Sequence, residues 1–179
     1  AQLVAAQQRA QAGADALAVS VPGVAALLCF ADCTPVIIVS PTGRFVVAHA
    51  GWRGVAGNIA VLSAQRLAQA DGACCPDQVR ANLGGYNVYI GPHIHACHFE
   101  VGQDVADTFR SQFGASCIEG QRHVSMLDAL RTSLVAAGVD AARICDAGIC
   151  TQCNSQAYYS YRASGGTCGR HGAVAFRKA

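Results

Sequence analysis

Ala31-Asp-Cys-Thr-Pro35, the apolar run 36–39, the turn Pro41-Thr-Gly43, and Phe45-Val-Val-Ala48 leading into His49-Ala-Gly-Trp-Arg-Gly54 form the stretch that decides the fold. Residues 24–30, 36–39 and 45–48 are continuous apolar runs rich in β-branched side chains, the pattern of strands covered on both faces. Together they predict a buried hairpin or neighbouring core strands. A thiol, Cys33, and an imidazole, His49, then stand at strand ends, 16 positions apart. Two adjacent strands and a turn can bring them into contact.

Outward from this hairpin, Gly51 and Gly54 bracket a sharp turn. Residues 55–70 follow with apolar side chains at helical spacing (Ile59, Leu62, Leu67), ending before Asp71-Gly72. Residues 16–19, 79–83, 88–90 and 142–149 read as strands, and 101–113 and 126–137 as helices, the latter closed by Gly138. Residues 3–12 read as a modest helix or a frayed end. The segment 150–170, rich in Gly, Ser and Tyr, reads as a functional loop. Strands and helices alternate without a strict βαβ repeat, which predicts an α+β fold, a mixed α/β sandwich in a single domain.

The chain has 179 residues, 52% hydrophobic and 13% charged, enough apolar material for one core and too short for two ordinary domains. With a formal charge of +2 and no basic block interleaved with aromatics, the sequence excludes a nucleic-acid footprint and favours a small anionic or neutral ligand. No apolar run approaches the roughly 20 residues of a membrane-spanning helix, and no basic-then-apolar leader opens the sequence. The opening Ala suggests a sequence read from partway through a longer product. Ten cysteines would permit a disulfide framework, but a core of this size does not need one, so a reducing, cytoplasmic setting is expected. Cys29, Cys33 and Cys145, in or beside apolar runs, are expected to act as small buried hydrophobes.

Cys33 and His49 admit three readings: ligands of a zinc or copper ion with a third donor still to be found, a thiolate and its base, or a buried cysteine and a hydrogen-bonded histidine. Asp32, next to Cys33, would orient a ligand or move a proton. His93 and His95 lie two apart after Ile90-Gly-Pro92, so in extended chain both face one side, with His98 pointing elsewhere. Cys150-Thr-Gln-Cys153 with Cys168 and His171 has the outline of a zinc knuckle or a redox dithiol. Arg162 and Arg170 flank a Gly-rich turn that suits phosphate or another oxyanion, and Arg53 would join them. Trp52, Tyr158, Tyr159 and Tyr161 are candidates to stack on a planar ring.

Taken together, Gly13-Ala-Asp-Ala16, Ala31-Asp-Cys-Thr-Pro35, His49-Ala-Gly-Trp-Arg-Gly54, Ile90-Gly-Pro92 with Phe99-Glu-Val-Gly102, and Tyr159-Ser-Tyr-Arg162 with Gly166-Thr-Cys-Gly-Arg170 resemble the laccase-domain family. Its members are also described as polyphenol oxidases and as zinc-dependent purine nucleoside phosphorylases. The resemblance implies a cytoplasmic α/β sandwich similar to Cys/His hydrolase-like toxins. It implies a metal held by two histidines and one cysteine, of which Cys33 and His49 are present here. The implied activities are phosphorolysis of adenosine, inosine, guanosine or methylthioadenosine, and adenosine deamination, with purine nucleoside and phosphate as partners. Zinc is the implied metal, with copper the alternative, as in a laccase-like phenol oxidase. A non-catalytic metal-binding protein is a further alternative. Six scattered histidines are few for several copper sites. The family's other metal-binding histidine lies in a His-Gly motif upstream of the Ala-Asp-Ala segment, and residues 1–13 contain no histidine. That ligand and the first strands of the family fold are therefore expected to lie outside this stretch. His93, where many relatives carry Cys, is an alternative donor together with His95.

Overall fold

The structure, a computed structural model, describes residues 13–178. The helix or frayed end expected at 3–12 lies outside them. Strands β1 (Ala16–Val19), β2 (Ala25–Phe30), β3 (Thr34–Val39) and β4 (Phe45–Ala50) come first, followed by helices α1 (Trp52–Ala56), α2 (Ile59–Ala70) and α3 (Pro76–Leu83). Next are β5 (Asn87–Ile90), α4 (Gln103–Phe113), the short pair β6 (Ile118–Glu119) and β7 (His123–Val124), α5 (Met126–Ala137), β8 (Ile144–Asp146) and β9 (His171–Phe176). A five-stranded sheet runs β1-β4-β3-β5-β8, antiparallel except for the β5–β8 pair, while β2 and β9 form a separate two-stranded sheet.

The apolar runs of β3 and β4 are continuous because both of their faces are covered. Side chains alternate along a strand, so Val36, Ile38, Val46 and Ala48 face the helices and meet Leu67, Phe109, Leu130 and Leu134. Ile37, Val39, Phe45 and Val47 face the other way, onto β2 and β9. The result is three layers, helices over a mixed sheet over a two-stranded sheet, in agreement with the mixed α/β sandwich. All ten cysteines are unpaired, so these layers are held by packing rather than by crosslinks.

Several expectations change. The expected strand at 79–83 is helical: Pro76 fits the first helical position, Asp77 lies in the first turn, and Val79 and Leu83 stand four apart, on one helical face. Strand β2 does not pair with the β3–β4 hairpin; it pairs with β9, whose alternating half-exposed pattern gave no strong signal. The expected helix 55–70 is divided at Asn58, which has φ 57°, and the expected strand 142–149 shrinks to β8. Cys29 and Cys145 are exposed, because each points outward from an alternating strand; Cys117 and Cys150 are the buried thiols.

The far end of the β3–β4 hairpin is tied down by Asp71, just past α2. Its carboxylate accepts from Thr42 Oγ1 at 2.7 Å, Arg44 Nη1 at 2.8 Å and the buried Tyr86 hydroxyl at 2.5 Å. Burial alone would raise the Asp71 carboxyl, but these hydrogen bonds, Tyr86 first, outweigh it and hold the group below its ordinary value. The folded pKa is thus lower than the unfolded one of about 3.9. Asp71 therefore stabilises the fold above that pH, and the contribution disappears as pH falls through the folded value. Asp71→Asn should cost about 2–3 kcal/mol at neutral pH and flatten the acid side of the stability profile, as read by urea unfolding at a series of pH values.

Candidate functional site

The hairpin register assembles the site. Thr34 pairs with Ala50 and Pro35 with His49, so one step further places Cys33 across from Gly51. A Cβ on Gly51 would lie 3.3 Å from Cys33 Sγ and 3.7 Å from His49 Cε1. Glycine thus keeps open the space between thiol and imidazole. The backbone amide of His49 donates to Asp15 O at 2.7 Å, and its Nδ1 lies 3.1 Å from Asp15 Oδ1. A carboxylate on one ring nitrogen fixes the ring and leaves Nε2 free, the arrangement that supports metal-ligating or basic histidines. Phe30 packs against the same ring, centroids 5.4 Å apart.

Burial pushes the Cys33 thiol above its ordinary value, the Asp32 carboxylate adds to that, and Arg170 opposes it. Left to itself, this group is a neutral thiol at pH 7. Asp32 is buried and has φ 81°, a left-handed backbone uncommon outside glycine but tolerated by Asp. Its two oxygens accept from Thr151 Oγ1 at 2.6 Å and from the Arg162 amide at 2.7 Å, and its carbonyl accepts from the Ile94 amide at 2.9 Å. Both carboxylate oxygens being engaged, Asp32 positions the neighbouring segments.

Cys33, His49 and Asp32 line a cleft of about 280 Å³ together with Phe99, Tyr161, Arg162 and Arg170. A second cleft of about 520 Å³, bordered by Trp52, Glu100 and Arg122, meets it at Phe99 and Arg162. Together they fall within the size range of small-molecule sites. Arg162 Nη1 donates to the carbonyls of Glu100 at 3.0 Å and His98 at 3.3 Å. Arg170 Nη1 donates to the carbonyls of Cys168 and Gly169, both at 2.9 Å. That anchors the Arg170 guanidinium by one nitrogen and leaves donors for an anion. Arg53 lies apart, its guanidinium 4.3 Å from the Trp52 ring centroid and outside the lining of both clefts. Of the expected stacking aromatics, Tyr161 lines the Cys33–His49 cleft and Trp52 the adjoining one, whereas Tyr158 packs edge-on against His171. Phe99, which borders both clefts, carried no sequence signal beyond its place in the Phe99-Glu-Val-Gly102 motif.

The remaining His and Cys residues sort differently from the spacing argument. His93 and His95 do lie together, ring centroids 4.6 Å apart, but His93 is buried with Nδ1 2.9 Å from Gly91 O. His98, expected to point elsewhere, is grouped with Cys97, Cys150 and Cys153. Cys168 and His171 are not part of that group: His171 sits on β9 between Phe30 and Tyr158. Among the described residues no third Cys, His, Asp or Glu donor is grouped with Cys33 and His49. Asp15 was legible only as part of Gly13-Ala-Asp-Ala16; its role needs the β1–β4 pairing to be known.

A family profile described as "Multi-copper polyphenol oxidoreductase laccase" matches residues 1–178. A protein named adenosine deaminase RL5, from an unknown prokaryotic organism, is 34% identical over 96% of this chain and 65% of its own length. The purine nucleoside phosphorylase YlmD of Geobacillus stearothermophilus is 34% identical over 88% of this chain and 58% of its own. The crystal structure of YlmD from that organism superposes with a TM-score of 0.80 at 34% identity, covering 93% of this chain and 62% of that one. That of a Bacillus licheniformis hypothetical protein, YfiH, gives 0.81 at 29% identity, covering 92% and 61%. The chain thus spans about three fifths of the length of these relatives.

The geometry around Asp32 has a measurable consequence. Asp32→Ala removes both acceptors of the Thr151 hydroxyl and Arg162 amide, and should cost about 2–4 kcal/mol while accelerating amide hydrogen exchange selectively in residues 150–165. Asp32→Asn, which tolerates the same backbone but turns one acceptor into a donor, should fall between the two. Unchanged exchange in that segment would contradict the positioning role.

Proposed function

The chain belongs to the multi-copper polyphenol oxidoreductase laccase family, and from that membership we propose that it is a metal-dependent purine nucleoside enzyme, a phosphorylase or deaminase, acting in the Cys33–His49 cleft. The observation that carries this reading is the hairpin register, which sets a thiol and a carboxylate-oriented imidazole on either side of the gap left by Gly51. The names of the relatives, adenosine deaminase and purine nucleoside phosphorylase, supply the substrate class.

Cys33 and His49 fit a zinc ion as two of its donors: a soft sulfur and an imidazole nitrogen that line one cleft, both beside Gly51, which carries no side chain to separate them. We assign the third donor to a histidine outside residues 1–179, and the stretch described here to a single domain that works together with that segment. Bound there, zinc would polarise the reacting group and lower the pKa of a water toward about 7. The chain's own side chains do the rest. Asp15 holds His49 in place through Nδ1. Arg170, anchored by the Cys168 and Gly169 carbonyls, and Arg162 present guanidinium donors to phosphate, the bidentate partner that such a fork suits. Phe99 and Tyr161 offer apolar and aromatic faces to the purine ring. In phosphorolysis, phosphate held by these arginines attacks the ribose anomeric carbon as the purine departs. In deamination, water replaces the amine at purine C6.

Adenosine or inosine incubated with phosphate and the purified full-length protein, which includes the segment bearing the third donor, should give free base and ribose 1-phosphate, or adenosine should give inosine and ammonia. Cys33→Ser and His49→Ala should each lower kcat/KM by about 100-fold or more, and Asp15→Asn by about 10–100-fold. Arg170→Ala should raise the KM for phosphate more than it lowers kcat. No turnover of any purine nucleoside would refute the reading, and phenol oxidation that requires copper in its place would move the assignment to a laccase-like oxidase.

A further inference from the structure

Away from the Cys33–His49 cleft, four donors converge from segments that the proposed chemistry does not use. Cys97 and His98 come from the turn that follows Ile94, and Cys150 and Cys153 from the C-x-x-C loop after β8. Cys97 Sγ lies 3.8 Å from Cys150 Sγ, 3.7 Å from Cys153 Sγ and 3.2 Å from His98 Nδ1. His98 Nδ1 lies 3.4 Å from Cys153 Sγ and 3.9 Å from Cys150 Sγ. All four donor atoms lie within 4.8 Å of one another.

These five distances are compared with the edges of a tetrahedron of donors around one ion. With zinc–sulfur bonds of about 2.3 Å and a zinc–nitrogen bond of about 2.0–2.1 Å, tetrahedral angles put sulfurs about 3.8 Å apart and sulfur and nitrogen about 3.6 Å apart. The two sulfur–sulfur edges that Cys97 makes match, the third, between Cys150 and Cys153, lies within 4.8 Å, and the three sulfur–nitrogen edges bracket the expected value. Adjacent residues such as Cys97 and His98 would point apart in extended chain. Here the amides of His98 and Phe99 both donate to His95 O, at 3.0 and 2.9 Å, and this turn brings the two side chains to one side. The His95 amide donates to Cys150 Sγ at 3.4 Å, and Asn154 Nδ2 to Cys150 O at 2.9 Å, so the loop around the donors is itself braced.

We propose that Cys97, His98, Cys150 and Cys153 form a structural zinc site, distinct from the Cys33–His49 cleft. Three sulfurs and one nitrogen in tetrahedral disposition select zinc over the hard cations, and a full set of four protein donors leaves no position for water or substrate, which makes the site structural. A disulfide would account for only two of the three thiols and leave the imidazole without a role. The ion staples the loop at 93–98 to the one at 149–153, which are already joined by His93 N to Ile149 O at 3.1 Å and Thr151 N to His93 O at 3.0 Å. It thereby anchors Thr151, the residue that bonds Asp32 beside Cys33.

The test measures zinc per chain by plasma mass spectrometry on protein purified under reducing conditions. The Cys33→Ser/His49→Ala variant should retain one zinc per chain, and Cys97→Ser/Cys153→Ser should lose one equivalent relative to the unaltered protein. Retention of the full zinc content by Cys97→Ser/Cys153→Ser overturns the proposal. Because that variant risks misfolding, X-ray absorption on the Cys33→Ser/His49→Ala protein gives a second reading. Three sulfurs at about 2.3 Å and one nitrogen at about 2.0–2.1 Å are expected. A shell with fewer than two sulfurs, a zinc-free protein, or an intact mass lower by two hydrogens from a disulfide within the cluster would each overturn it.

Discussion

A buried carboxylate with two fixed donors is the constraint on which the rest of the site depends. Asp32 accepts from residues 119 and 130 positions further along the chain, Thr151 and Arg162, and it does so from a backbone conformation that few residues adopt. A buried carboxylate deprived of its donors carries a large desolvation penalty. The C-terminal loop therefore cannot leave the hairpin without exposing the molecule to that penalty. The next residue is Cys33, and the Arg162 held by this bond borders both clefts. Order in the C-terminal loop and the shape of the cleft are thus set by the same few hydrogen bonds.

Electrostatics at Cys33 follow from this placement. Burial and the adjacent Asp32 charge favour the neutral thiol, and Arg170 across the cleft only partly offsets them. A thiol so placed is a poor free nucleophile, since thiolate is the reactive form. It becomes a good ligand when a metal displaces its proton. Of the three readings that spacing left open for Cys33 and His49, the local field disfavours the free thiolate–base pair.

What the sequence made legible followed from short-range patterning. β3 and β4 announced themselves because both faces are covered, which forces an unbroken apolar run, and α5 did so because Ser125 caps it and Gly138 ends it in a left-handed conformation. Residues 79–83 misled because two apolar residues four apart suit either a short strand or a helix, and Pro76 at the first helical position decides for the helix. β9 was missed because Gly, Ala and half-exposed side chains leave little contrast between its faces. Cys33 and His49 were within reach because one hairpin register joins them. Asp15 and the Cys97–His98 pair were not, since each meets its partners across 34 and more than 50 residues, through pairings that no local pattern records.

We place purine nucleoside chemistry, as a proposal, in the Cys33–His49 cleft. The most direct measurement is a crystal structure of the protein soaked with a purine nucleoside and phosphate. A base against Phe99 and Tyr161, phosphate within hydrogen-bonding distance of Arg170, and the ribose facing Cys33 and His49 are expected. Nucleoside bound instead in the cleft beneath β9, among Pro35, Tyr89 and His171, with the Cys33–His49 cleft empty, would contradict it.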